Sequence, residues 1–121
     1  MINTTIRMAN MPIVTVITAS TACPYLSEAI EIVKAQSYPN IQHLVVIDGP
    51  RPDSELITSR FDGIDVLQLP YATGADGYLG HRVYGSCSYL AQGEYLCFLD
   101  EDHWFAPDHI VSLCYFAVQS T

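Results

Sequence analysis

The chain has 121 residues, room for one compact domain, and half of them are hydrophobic, so a core can form. Its formal net charge is −8, and Lys34 is its single lysine; this excludes the clustered cations that a nucleic-acid backbone or an anionic membrane surface requires. Cys23, Cys87, Cys97 and Cys114 form no C-x-x-C pair, which points to core thiols in a reducing compartment rather than a disulfide framework or a zinc knuckle.

In chain order, residues 1–11 read as a loose leader and residues 12–121 as the domain. No targeting segment is visible, and the cytoplasm is the expected compartment. Residues 13–18 are β-branched throughout, as a strand buried on both faces requires, and the apolar run is too short to span a membrane. Pro24 suits the first turn of a helix. Leu26, Ala29, Ile30 and Val33 follow at helical spacing, and Pro39-Asn40 stops the run. Residues 44–47 predict a second buried strand, ended by Asp48-Gly49-Pro50. Residues 53–61 predict a short helix with Asp53 or Ser54 near its cap. Residues 64–69 predict a third strand, stopped by Pro70, and a loop of mostly small residues fills 71–77. Leu79, Val83, Cys87 and Leu90 then recur at helical spacing, although Gly80 and Gly85 each weaken a helix by about 1 kcal/mol against alanine. Residues 95–99 predict a fourth strand without a polar face, and residues 107–118 a last helix. The alternation gives an α/β fold class: a three-layer, mainly parallel, four-stranded sheet whose strand ends share one side, where such folds bind ligands.

The densest chemistry is Phe98-Leu99-Asp100-Glu101-Asp102-His103-Trp104, where three carboxylates directly follow the fourth strand. Alternate side chains of an extended chain share a side, so Asp100 and Asp102 can converge while Glu101 points elsewhere. Two convergent carboxylates with open positions suit Mn²⁺ or Mg²⁺, and a bound cation removes their mutual repulsion. A solvated acidic turn is the competing explanation; the position at a buried strand's C-terminal end weighs against it. His103 and His109 lie nearby, either as a third metal ligand or, more simply, as a turn and a helix-start residue. Trp104 reads as a core anchor ahead of a sugar platform. Asp48 ends the second strand, where it can accept from a base N–H such as uracil N3–H, or cap its own turn. Thr18-Ala19-Ser20-Thr21 ends the first strand in small residues, which let a flat base approach the backbone and equally suit a helix cap.

Taken together, five segments resemble the N-terminal half of a family 2 glycosyltransferase with the GT-A fold. They are Val14-Thr15-Val16-Ile17-Thr18, Pro24-Tyr25-Leu26-Ser27-Glu28-Ala29-Ile30, Ala35-Gln36-Ser37-Tyr38-Pro39-Asn40-Ile41, Val46-Ile47-Asp48-Gly49, and the run from Gly93-Glu94-Tyr95 into Asp100-Glu101-Asp102. The resemblance covers about residues 12–109. It implies a Rossmann-like half with strand order 3-2-1-4, a nucleotide-diphosphate-sugar donor, often UDP-linked, and a divalent cation, Mn²⁺ or Mg²⁺. It implies that Asp48 contacts the base, that Thr18 and Ala19 wall it, that Asp100 lies by the ribose or sugar, and that Asp102 holds the metal. Arg82 falls where the family often carries Ala-Arg-Asn, but its neighbours here are His81 and Val83, so a surface helix residue is an equal account. No residue matches the family's general base, and the acceptor-binding half is expected to be absent from residues 12–121.

A non-catalytic nucleotide-binding or assembly module of the same ancestry is the alternative. A receiver-type signalling domain needs acidic residues just after the first strand, where this chain has Thr18-Ala19-Ser20-Thr21. A dinucleotide fold needs a glycine fingerprint there. Under the family's strand order the fourth strand is an edge. An uncharged edge tends to pair, which predicts a homodimer through two fourth strands, with coverage by the last helix as the alternative.

Overall fold

A computed structural model describes residues 11–74 and 79–119, the last four of these by backbone alone. Most of the expected leader, residues 1–10, and residues 75–77 of the small-residue loop lie outside the described residues. The elements alternate as β1 (Val14–Ser20), α1 (Tyr25–Lys34), β2 (Ile41–Ile47), α2 (Ser54–Thr58), β3 (Ile64–Gln68), α3 (His81–Cys87), a 3₁₀ turn (Ser88–Leu90), β4 (Tyr95–Phe98) and α4 (His109–Gln119). The four strands form one parallel sheet in the order β3-β2-β1-β4.

Strand parity divides the core. Val14 and Val16 of β1 pack with Ala29 and Val33 of α1, and with Leu99 and Ile110. Val45 and Ile47 of β2 meet Leu26 and Ile30 of α1. Ile17, Leu44 and Val46 face the other way, onto Val83 and Cys87 of α3. Helices therefore cover both faces, as the β-branched runs require. Each fully buried aliphatic side chain here stabilises the fold by about 1.5–3 kcal/mol.

The sequence runs outward from β1 to β3, then returns across to β4. That reversal opens a crevice between the C-terminal ends of β1 and β4, the ligand position of such sheets. Backbone bonds extend the pairing up to it: Asp48 N–H donates to Ser20 O at 2.8 Å, and Leu99 N–H to Ile17 O at 3.0 Å. At the opposite end Gly93 N–H donates to Thr15 Oγ1 at 2.9 Å. A Cβ on Gly93 would sit 2.6 Å from Ile13 O, so only glycine lets β4 lie against β1 there.

The outer strands are less buried than their apolar sequences predict. β4 is an edge, and its Leu96 and Phe98 are 43 % and 48 % exposed. α4 does not close over that edge. Its Ile110, Val111 and Cys114 pack on the α1 side of the sheet, with Tyr95 and Cys97. Trp104, expected in the core, is 69 % exposed, whereas Leu99 and Ile110 are fully buried in the core.

Candidate functional site

A cleft of about 400 Å³ lies over the crevice. Ala19, Ser20 and Thr21 form one wall, Asp48 and Gly80 the back, and Asp100 to His103 the other wall.

The acidic residues separate as expected, but by a turn rather than by extended alternation. His103 N–H donates to Asp100 O at 2.9 Å and closes the turn. His103 Nδ1 then lies 3.5 Å from Asp100 Oδ2, and its Nε2 lies 3.8 Å from Asp102 Oδ1. One ligand atom from each of these three side chains falls within 4.8 Å of the others. All three are at least half open to solvent, or nearly so, with Asp100 at 48 % and the other two at 66 %. Two carboxylates and an imidazole with free coordination positions fit a Mn²⁺-like cation, which accepts hard oxygen and imidazole nitrogen together. His109 is not brought in. Its ring stacks on Phe105 at a centroid distance of 4.3 Å.

Glu101 points to the opposite wall. Ser20 Oγ donates to Glu101 Oε2 at 2.6 Å, and Thr21 donates its N–H and hydroxyl to Oε1 at 3.2 and 3.0 Å. The small residues after β1 thus hold the acidic turn to the β1 end. Ser20 Oγ also accepts the Ala22 N–H at 2.8 Å, steadying a residue with φ of 61°. A non-glycine residue in that left-handed region costs of order 1 kcal/mol or more, so this wall carries local strain. Burial and the neighbouring Glu101 push the Cys23 thiol up, away from the reactive thiolate.

Asp48 is 5 % exposed, and it is occupied. Its Oδ1 accepts the Thr73 N–H and the Thr73 hydroxyl, both at 2.7 Å, and its Oδ2 accepts the Gly74 N–H at 2.8 Å. It straps the 72–74 loop over the end of β2. The approach is close: a Cβ on Gly49, whose φ is 96°, would lie 2.8 Å from Ala72 N.

Thr18 is fully buried, with its hydroxyl 2.8 Å from His43 Nε2. Its side chain belongs to the core, while Ala19, one residue on, lines the cleft. Arg82 stands on the exposed side of α3, away from the cleft lining. Tyr84, which sequence reasoning missed, reaches the site from α3. Its phenol donates to Asp100 Oδ1 and accepts the Ala19 N–H at 3.4 Å. Burial and the bond to Asp100 push this phenol up, so it remains a protonated donor. Its only sequence signal was an aromatic residue on a helix that packs beside β1; the contact itself is tertiary.

The profile of Glycosyl transferase family 2 matches residues 13–119. A curated relative described as an uncharacterized glycosyltransferase of Haemophilus influenzae is 31 % identical over 114 residues, which cover 92 % of this chain and 44 % of the relative. The chain therefore spans less than half of that relative's length. Among solved structures, the mannosyltransferase PcManGT from Pyrobaculum calidifontis, in complex with GDP-Man and Mn²⁺, superposes with a TM-score of 0.71 at 20 % identity, over 88 % of this chain and 32 % of that one. S. aureus TarS 1–349, in complex with UDP-GlcNAc, gives 0.71 at 18 % identity, over 90 % and 32 %.

Proposed function

This chain belongs to glycosyl transferase family 2, and we propose that its cleft binds a nucleotide-diphosphate sugar through a divalent cation, for glycosyl transfer to an acceptor. The carrying observation is the convergence of Asp100, Asp102 and His103 within 4.8 Å at the end of the sheet. Asp102 and Asp100 would hold Mn²⁺ or Mg²⁺, with His103 as the third ligand, and the bound cation would supply positive charge that stabilises a leaving diphosphate. Ala19 and Asp48 border the base. Thr18 acts indirectly, by fixing β1 to β2 through His43, and Arg82 is given no role toward the nucleotide.

Uracil is the proposed base. A carboxylate offers four lone-pair sites. Thr73 and Gly74 take three of those on Asp48. The one acceptor left matches the single N3–H of uracil better than the two-donor edge of guanine. Thermal unfolding with UDP, GDP, ADP and CDP, each with Mn²⁺, checks this. UDP should give the largest rise in melting temperature. Equal rises with UDP and GDP would contradict the base assignment.

The exposed Leu96 and Phe98 and the open β4 edge favour antiparallel pairing with a second copy. Light scattering after size exclusion should give twice the mass of the chain; a monomer at high micromolar concentration would rule the dimer out. No helix among the described residues is long and apolar enough to cross a membrane. Four free thiols fit the cytoplasm as the proposed compartment.

A further inference from the structure

Glu101 ties the acidic turn to Ser20 and Thr21, but the residue beside it, Asp100, is tied from the other face of the sheet. Tyr84 lies between the ends of β1 and β4. Its ring packs against Phe98 with centroids 4.8 Å apart, and a Cβ on Gly80 would come 3.0 Å from its edge. The ring is therefore fixed by packing before its hydroxyl meets any polar group. That hydroxyl donates to Asp100 Oδ1 and leaves Oδ2 turned to His103, 3.5 Å away. The Tyr84 hydroxyl oxygen also accepts the N–H of Ala19, which borders the base.

We infer that Tyr84 is a positioning residue of the cation site: it fixes the Asp100 carboxylate so that one oxygen is bound to the phenol and the other is presented to the cation. This rests on the proposed metal-dependent nucleotide binding. Asp100 is 48 % exposed and sits on a turn, so without the phenol its carboxylate would sample several rotamers. Ordering a ligand before the metal arrives is what outer partners of metal ligands do, and their loss typically lowers metal affinity about 10- to 100-fold.

Tyr84→Phe keeps the ring, its contact with Phe98 and its fit against Gly80, and removes only the hydroxyl. The quantity to measure is the ratio of UDP affinity, at one fixed Mn²⁺ concentration that does not saturate the wild type, to UDP affinity in EDTA. Tyr84→Phe should lower this ratio about tenfold, with a smaller loss in EDTA, where only the freed Ala19 N–H is felt. The double variant with Asp100→Asn should be no worse than Asp100→Asn alone, because Tyr84 acts through that carboxylate. An unchanged ratio beside a metal-dependent wild type would overturn the role of Tyr84 and leave the metal reading standing. Equal losses with and without Mn²⁺, or additive losses in the double variant, would also overturn it, in favour of packing. A wild-type ratio of one would overturn both.

Discussion

Replacing Asp48 with alanine should destabilise the protein by about 2–4 kcal/mol, because a nearly buried carboxylate with three donors is removed and the donors stay behind. The Thr73 and Gly74 N–H groups lose their acceptor, and the 72–74 loop loses its strap across β2. Asp48→Asn keeps one acceptor oxygen but turns an amide N–H₂ toward one of these donors, so it should fall between the wild type and alanine. Urea unfolding, read at unchanged slope, gives the difference directly. A cost below about 0.5 kcal/mol, the level of an ordinary surface change, would show that the loop holds without Asp48. The same strap would leave the proposed base contact one acceptor on Asp48, so stability and base choice would be linked at this residue.

Acid should weaken the fold well above the range where carboxylates protonate. His43 is 3 % exposed, and burial, reinforced by the charge of Lys34, pulls its imidazole down from 6.5 to about 4. The folded state thus binds this proton more weakly than the unfolded chain. Stability is full above pH 6.5 and falls as the pH drops from 6.5 toward 4, by about 2 kcal/mol at pH 5 and about 3 kcal/mol at pH 4. Among the described residues, Nδ1 of this ring is the one buried side-chain polar atom without a hydrogen-bond partner, so no acceptor is in place to receive a second ring proton. His43→Gln can still meet the Thr18 hydroxyl and cannot titrate. Its stability should be flat between pH 6.5 and 5 while the wild type loses about 2 kcal/mol. Parallel losses in both proteins would assign the acid sensitivity to other groups.

Most of the sheet was legible because β1 and β2 are buried on both faces and their β-branched runs permit little else. Periodicity also located α1, through Leu26, Ala29, Ile30 and Val33, all buried. Boundaries were harder. β1 continues through Ala19 and Ser20, residues of weak strand preference, because Val46 and Ile47 pair with them. Parity could separate Thr18 from Ala19, but only the packed helices decide which of the two sides opens to the cleft. Asp100 and Asp102 were readable from their place after β4. The partners that orient this wall were not, since Glu101 meets Ser20 and Thr21 across about 80 residues, and Tyr84 reaches Asp100 only after α3 has docked. Trp104 misled for a related reason: a large aromatic beside a strand is usually covered, yet Trp104 is 69 % exposed while Leu99 and Ile110 are fully buried in the core.

The central claim is that nucleotide binding runs through a cation held at Asp100, Asp102 and His103. Its most direct test is thermal unfolding of wild type and Asp102→Ala in UDP, with Mn²⁺ and with EDTA. In Mn²⁺, at about a hundredfold excess over its Kd, UDP should stabilise the wild type by about 2.7 kcal/mol over the protein without UDP, and Asp102→Ala should respond to UDP alike in Mn²⁺ and in EDTA. A wild type whose melting temperature ignores UDP in the presence of Mn²⁺, or an Asp102→Ala variant that keeps the full Mn²⁺ response, would contradict it.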